Sequence, residues 1–161
     1  MLNQTPAPNE IVPDFSAPMT GDSAFNLSDQ RGKNVVVYFY PKDNTPGCTA
    51  QSIGFRDSYS AFQKANTEIF GVSRDSMRSH DNFRMKFDLP FQLISDADET
   101  VCNLFGVIKN KKMYGKPVRG IERSTFLIDP TGRMVKEWRG VSVPGHVDEV
   151  LQAVELLDSN Q

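Results

Sequence analysis

Cysteine, histidine and tryptophan are scarce in this chain: two, two and one among 161 residues. Two cysteines cannot build a disulfide framework, which makes a reducing, cytoplasmic compartment the expectation. His80 and His146 stand far apart and far from both cysteines, so no zinc-ligand spacing arises. A Cys-x-x-Cys pair is missing too, since Cys48 is followed by Thr49, Ala50 and Gln51, and this disfavours a general dithiol–disulfide oxidoreductase. No glycine-rich phosphate loop follows a predicted strand. Charge of one sign is lacking: 18 Lys and Arg against 20 Asp and Glu leave −2, with no electrostatic reason to expect nucleic acid. No apolar run approaches a membrane span, and the opening MLNQTPAPNEIVPDF has neither the basic start nor the apolar stretch of a signal peptide. Internal repeats and low-complexity segments are absent as well.

What is present is ordinary globular material, 39% hydrophobic and 24% charged, in a length suited to one domain, 1–161, with a real core. Pro6, Pro8 and Pro13 make residues 1–10 an extended, mobile start. Phe15 to Pro18 and Ala24 to Leu27 suit a short hairpin around Thr20 to Ser23, and Asp29 to Lys33 a polar turn. Val35 to Tyr40 reads as a strand buried on both faces. A helix is expected from Cys48 to about Gln63, with Ile53, Phe55 or Tyr59, and Phe62 on its apolar face. A strand at 68–72, a helix at 76–87 capped by Ser76 or Asp75, a strand at 91–95 and a short helix at 98–105 capped by Gly106 follow. Val107 to Gly120 reads as a long, irregular basic connection. Asp129-Pro130-Thr131-Gly132 is a hairpin signal between strands at 124–128 and 134–138, and Val147 to Leu157 a closing amphipathic helix. Crossovers through helices demand parallel pairs and the DPTG hairpin an antiparallel one, so the sheet is mixed and the fold class α/β.

Everything is organised around YFYPKDNTPGCTAQSIGF, Tyr38 to Phe55. A strand ends at Pro41, a polar turn follows, and a helix opens at Cys48. The first N–H groups of a helix have no intrahelical partner and the macrodipole is positive there, which favours a thiolate, the nucleophilic form. Thr45 stands three residues ahead with a hydroxyl to offer the sulfur or a bound oxygen. A lone free cysteine is more often inert core. The proline-bounded turn, the hydroxyl and the helix start together favour chemistry.

The segment PKDNTPGCT resembles the active-site segment of the peroxiredoxins, with Pro41, Thr45 and Cys48 on the shared positions. The flanking YFYPKD and GIERSTFLIDPTGR resemble the bacterioferritin-comigratory-protein, or PrxQ, branch, and the likeness runs from about Ile11 to Leu157. It implies a thioredoxin-like fold, here a central mixed sheet flanked by helices with an N-terminal β-hairpin extension. It also implies a thiol-dependent peroxidase that reduces hydrogen peroxide and organic hydroperoxides through a cysteine sulfenic acid, in antioxidant defence and redox homeostasis. Cys48 would be the nucleophile, Thr45 a hydrogen-bonding partner of thiolate and peroxide, and Pro41 a shield against bulk water. Arg123, in IERSTFLID, falls on the family's active-site arginine. From the residues alone it is an arginine opening a strand, one of 18 Lys and Arg.

The chain departs from the pattern where many branch members carry a resolving cysteine five residues after the first: here that residue is Ile53. Helix 76–87, which carries the resolving cysteine in another subgroup, has none either. Cys102 reads as a small core residue, with a resolving thiol as the alternative. A one-cysteine cycle completed by an external thiol (thioredoxin, glutaredoxin or a small thiol) is therefore expected, in a monomer or weak dimer, with no metal or organic cofactor and no membrane or nucleic-acid partner. A thioredoxin-fold redox sensor with little turnover is the alternative. The basic stretch Lys109 to Arg119 reads as a solvated connection or as a docking patch for an acidic reductant.

Overall fold

The computed structural model describes residues 5–161. Its elements are β1 (Ser16–Met19), β2 (Ser23–Asn26), β3 (Asn34–Phe39), α1 (Pro46–Asp57), α2 (Tyr59–Lys64), β4 (Thr67–Ser73), α3 (Met77–Phe87), β5 (Gln92–Ser95), α4 (Thr100–Phe105), β6 (Ile108–Met113), β7 (Lys116–Ile121), β8 (Ser124–Ile128), β9 (Met134–Arg139) and α5 (His146–Ser159). A 3-10 turn occupies Leu27–Gln30, running from the last residue read as hairpin strand into the region read as a polar turn.

β3 is buried along its whole length and lies inside a seven-stranded sheet of order β2-β1-β5-β4-β3-β8-β9. It runs parallel to β4, and β4 parallel to β5, while β8 pairs antiparallel with β3 and β9 antiparallel with β8. The mixed α/β sheet is therefore as expected, and the N-terminal hairpin joins it through Met19 opposite Ile94 on β5. Side chains alternate across a strand. Val35, Val37 and Phe39 thus enter one core, with Phe25, Phe105, Phe126 and Cys102. Val36, Tyr38 and Tyr40 enter the other, with Phe55, Phe62, Phe83, Phe91 and Cys48. The sheet separates the two cysteines.

Two sequence expectations are corrected. The single helix to Gln63 is two, because the chain bends at Ser58 (φ −100, ψ 4) before α2 starts. Helix α3, by contrast, ends at Phe87 as expected, before a left-handed Asp88, and of the two expected caps it uses Ser76, whose side chain accepts from Ser79 N–H. The connection read as irregular is a regular hairpin, β6–β7, closed by Tyr114 and Gly115 at φ 53 and 76, the left-handed pair of a two-residue hairpin turn. Residues 109–112 and 116–119 are exposed on both faces, so no alternation of apolar and polar residues marks the strands.

Of the stretch expected to be mobile, residues 1–4 lie outside the described residues. Further on, Asn9 N–H donates to Met134 C=O and Val12 N–H to Gly132 C=O, which ties the segment to the start of β9. No helix among the described residues is long and apolar enough to cross a membrane.

Candidate active site

The carboxyl end of β3 delivers the chain into the loop Tyr40–Thr45, and α1 begins immediately afterwards. Pro46 occupies the first helical position, where a missing N–H costs nothing. Cys48 is the third residue of α1 and is 1% exposed. Thr45 is the N-cap by backbone geometry (φ −91, ψ 154), yet no side chain caps this helix. The first intrahelical closure is Thr49 N–H to Thr45 C=O at 2.8 Å, leaving the N–H groups of Gly47 and Cys48 ahead of it.

Arg123 reaches this point because β8 is antiparallel to β3. Its first residue, Ser124, lies opposite Phe39, the last of β3, so Arg123 emerges beside the strand end that carries the Cys48 loop. Its Nη2 stands 3.5 Å from Cys48 Sγ, and its Nη1 donates to Gln51 Oε1 at 2.6 Å. The guanidinium thus sets a fixed positive charge and an N–H donor beside the sulfur. Gly47 makes room: a Cβ there would lie 3.1 Å from Arg123 Nη2. Sequence reasoning missed Gln51. It is fully buried one helical turn after Cys48, and its Nε2 has no protein partner among the described residues. Nothing in the sequence marked it, because its burial beside Cys48, Ser52 and Phe55 is a property of the fold.

The other two predicted residues sit at the rim. Pro41 is exposed at the start of the loop. The Thr45 hydroxyl donates to Lys42 C=O at 2.8 Å, not to the sulfur. With its hydrogen committed, Oγ1 is left to accept from an incoming O–H.

The loop is pinned from beneath by Asp43, a buried carboxylate. Its Oδ1 accepts from Tyr40 O–H at 2.6 Å, and its Oδ2 from Ser79 O–H at 2.9 Å. His80, wholly buried on α3, places Nδ1 2.7 Å from Asp43 Oδ2 and Nε2 2.8 Å from Ile94 C=O. A carbonyl only accepts, so Nε2 carries a hydrogen and the remaining ring nitrogen faces the carboxylate. Asp75 Oδ2 accepts from Asp43 N–H at 2.9 Å. Atoms of Asp43, Asp75 and His80 that are able to ligate a metal lie within 4.8 Å of one another, but these hydrogen bonds already use them. The trio therefore serves as a hub tying the loop to β4 and α3.

The floor is aromatic. Tyr38 stacks on Tyr40 and Phe55 with ring centroids 5.5 and 4.7 Å apart, and its hydroxyl meets Ser52 Oγ at 2.8 Å. Burial holds the Tyr38 and Tyr40 hydroxyls well above the ordinary tyrosine range, so neither is a proton source at neutral pH. His146 opens α5, lies 2.8 Å from Thr125 Oγ1 through Nε2, and is pushed below the usual imidazole range by burial, with Arg123 adding to the effect.

Cys102 lies across the sheet. Asp96 Oδ1 accepts from Val101 N–H at 3.0 Å and Oδ2 from Cys102 N–H at 2.7 Å. Burial first, and the Asp96 carboxylate second, push its thiol far above the ordinary range.

A model of the AhpC/TSA family matches residues 8–137. Peroxiredoxin Bcp of Xanthomonas campestris is 50% identical over 142 residues, 88% of this chain and 89% of the relative. Peroxiredoxin Bcp of Bacillus subtilis is 48% identical over 144 residues, 89% of this chain and 92% of the relative. Among solved structures, X. campestris Peroxiredoxin Q superposes with a TM-score of 0.86 at 49% identity, covering 89% of this chain and 91% of that one. Another X. campestris structure, from work on the alkyl peroxide reduction activity of its bacterioferritin comigratory protein, has a TM-score of 0.86 at 48% identity, covering 89% and 92%.

Proposed function

The chain belongs to the AhpC/TSA family and is a peroxiredoxin of the Bcp type, a thiol-dependent peroxidase; from that premise we propose that Cys48 is its peroxidatic nucleophile, working in a one-cysteine cycle. The observation that carries this is the guanidinium of Arg123 at 3.5 Å from Cys48 Sγ, at a helix start that no side chain caps. The substrate is a hydroperoxide, either hydrogen peroxide or an organic hydroperoxide, as for the alkyl peroxide reduction of the X. campestris relative.

The thiolate attacks the terminal peroxide oxygen. An S–O bond forms, the O–O bond breaks, and its electron pair leaves on the distal oxygen, which takes a proton to become water or alcohol. Arg123 and the N–H groups of Gly47 and Cys48 supply fixed positive charge where that oxygen becomes negative. Thr45 Oγ1 accepts from the peroxide O–H and sets its orientation. Gln51 holds Arg123 against the sulfur. Pro41 forms the rim and limits water access from the loop side.

The position of Cys102 across the sheet from Cys48, in a separate core, supports completion of the cycle by an external thiol. A disulfide needs Cα atoms roughly 4.4–6.8 Å apart, and reaching that would require the sheet's layers to open. The working protein is a monomer or weak dimer. Intact mass after one equivalent of peroxide, with and without a sulfenic-acid trap, tests both statements. Cys48 should carry the trap and Cys102 remain a free thiol. An untrapped product lighter by two hydrogens within one chain would overturn the one-cysteine cycle, and trapping elsewhere than Cys48 would overturn the assignment of the nucleophile.

A further inference from the structure

The ribbon β6–β7 joins the core only at its root. Residues 109–112 and 116–119 are exposed on both faces, and Ile108 and Ile121 at its root pack inward. Six-residue strands at about 3.4 Å per residue carry its tip roughly 20 Å from that root. A free two-stranded hairpin is marginal in water, so the ribbon contributes little to folding.

Its charge is one-sided. Lys109, Lys111, Lys112, Lys116 and Arg119 give it +5 with no carboxylate, so with 18 cations and 20 anions in all, the rest of the chain holds 13 against 20, or −7. Lysines on an exposed strand also guard against edge pairing. That protection needs charge, not charge of one sign, and mixed lysines and glutamates would serve it equally.

Its root is at the reactive edge. Two residues separate the end of β7 from β8, and the second is Arg123. Arg119 donates twice to the Glu99 carboxylate, at 2.5 and 2.6 Å, and Arg74 donates to the same group at 3.0 Å. The two guanidinium groups hold the Glu99 carboxyl down at about 2, so this clamp stays charged across the working pH range. Arg74 follows β4 and Glu99 follows β5, at the carboxyl ends of the parallel strands, where the loop after β3 also presents Cys48. Tyr114, 99% exposed at the tip, offers the kind of amphipathic ring that interfaces favour.

We propose that the β6–β7 ribbon is the docking surface for the reductant, an acidic protein that carries a dithiol. This rests on the one-cysteine reading above. An acidic donor is repelled by the net −7 of the rest of the chain and drawn to the ribbon, which delivers it to the edge bearing Cys48. There the donor thiolate attacks the sulfenic sulfur. An S–S bond forms, the S–O bond breaks, and hydroxide leaves as water after taking a proton. The donor's second thiol then attacks its own sulfur in the mixed disulfide and expels the Cys48 thiolate. The dithiol is oxidised by two electrons and the sulfenic acid reduced by two.

The test is stopped-flow reduction of full-length protein, first oxidised by one equivalent of hydrogen peroxide. The donors are an acidic thioredoxin and, separately, dithiothreitol, each at low and high ionic strength. With thioredoxin the wild-type rate should fall as salt rises. The variant Lys109→Glu/Lys111→Glu/Lys116→Glu should be about tenfold slower at low salt and lose that dependence, with Lys→Gln at the same positions falling between. Oxidation by peroxide and reduction by dithiothreitol should match wild type. A wild-type thioredoxin rate in the charge-reversed variant would overturn the proposal, as would an equal loss with both donors. Release of a bound oligonucleotide by the variant, with thioredoxin kinetics unchanged, would assign the ribbon to nucleic acid instead. Failure of the wild-type protein to form any sulfenic acid would show in the oxidation step and refute the catalytic reading itself.

Discussion

Cys48 is the third residue of α1 and Cys102 the third residue of α4, and each is almost wholly withdrawn from solvent. By burial and by place on a helix they are the same residue. Their surroundings differ in who meets the orphan N–H groups. At α4 the Asp96 carboxylate takes the N–H of Val101 and of Cys102, so the helix start is neutralised and a negative charge stands beside the thiol. At α1 no side chain caps the helix and a guanidinium approaches the sulfur instead. The helix dipole is a resource that a capping carboxylate uses up. Where the cap is filled the cysteine is structural, and where it is left open the cysteine can do chemistry.

The comparison is broken most severely by exchanging the nucleophile. Cys48→Ser should lower peroxide consumption about a thousandfold or more, because a serine hydroxyl is scarcely ionised at neutral pH. Cys102→Ser should keep most of the activity when dithiothreitol is the donor. A peroxide-consumption assay on the two purified variants decides it, and substantial turnover in Cys48→Ser would end the reading.

Next in size is the cation. Arg123→Met removes the positive charge and donor that meet the developing oxyanion, and should slow oxidation of Cys48 about a hundredfold. Gln51→Leu leaves the charge but frees the guanidinium. The loss of one hydrogen bond to a charged group predicts about a tenfold slowing. Single-turnover oxidation by peroxide measures both. Equal rates in Gln51→Leu and wild type would remove Gln51 from the machinery.

These residues also mark what was legible in the chain. Cys48, Thr45 and Pro41 lie within eight residues, and a strand, a turn and a helix start are local signals. Arg123 was assigned by resemblance alone, because its approach depends on β8 running antiparallel to β3, a pairing across the sheet. Gln51 was invisible for the same reason, since its partner is 72 positions away. The Asp43–His80 contact spans 37 positions, and read in sequence His80 was only an isolated histidine. The β6–β7 hairpin escaped because residues 109–112 and 116–119 are exposed on both faces and show no apolar alternation. The strands of the sheet core were legible wherever one face or both were apolar, as in β3, β4 and β8, but their register was not.

A smaller test acts on the other cysteine. Asp96→Asn removes the negative charge beside Cys102 while keeping an acceptor for one N–H. In a Cys48→Ser background, alkylation of Cys102 should speed up modestly, since burial, the larger cause of its inertness, is untouched. The weakened cap should cost about 1 kcal/mol in urea unfolding. An unchanged alkylation rate would show that burial alone silences this thiol.

The smallest effect is a pH dependence of stability, and it follows from the direction in which Cys102 is displaced. Its thiol ionises in the folded protein only far above the ordinary value of about 8.5. Below that pH the folded and unfolded chains both hold the proton, and the contribution to stability is fully present. As pH rises past it, the unfolded chain releases its proton while the folded chain keeps it. The contribution is then lost, by at most about 1.4 kcal/mol per pH unit, until the folded value is passed. The Tyr38 and Tyr40 hydroxyls, also displaced upward by burial, add the same sign at higher pH, beginning near the ordinary tyrosine value of about 10. Cys102→Ala should therefore unfold with a shallower stability loss than wild type between about pH 8.5 and 10, and with the same slope below that window. Urea titrations at closely spaced pH read the difference. Parallel curves across the window would mean that the folded thiol ionises as easily as the unfolded one, and the contrast between the two helix starts would then have to rest on geometry alone.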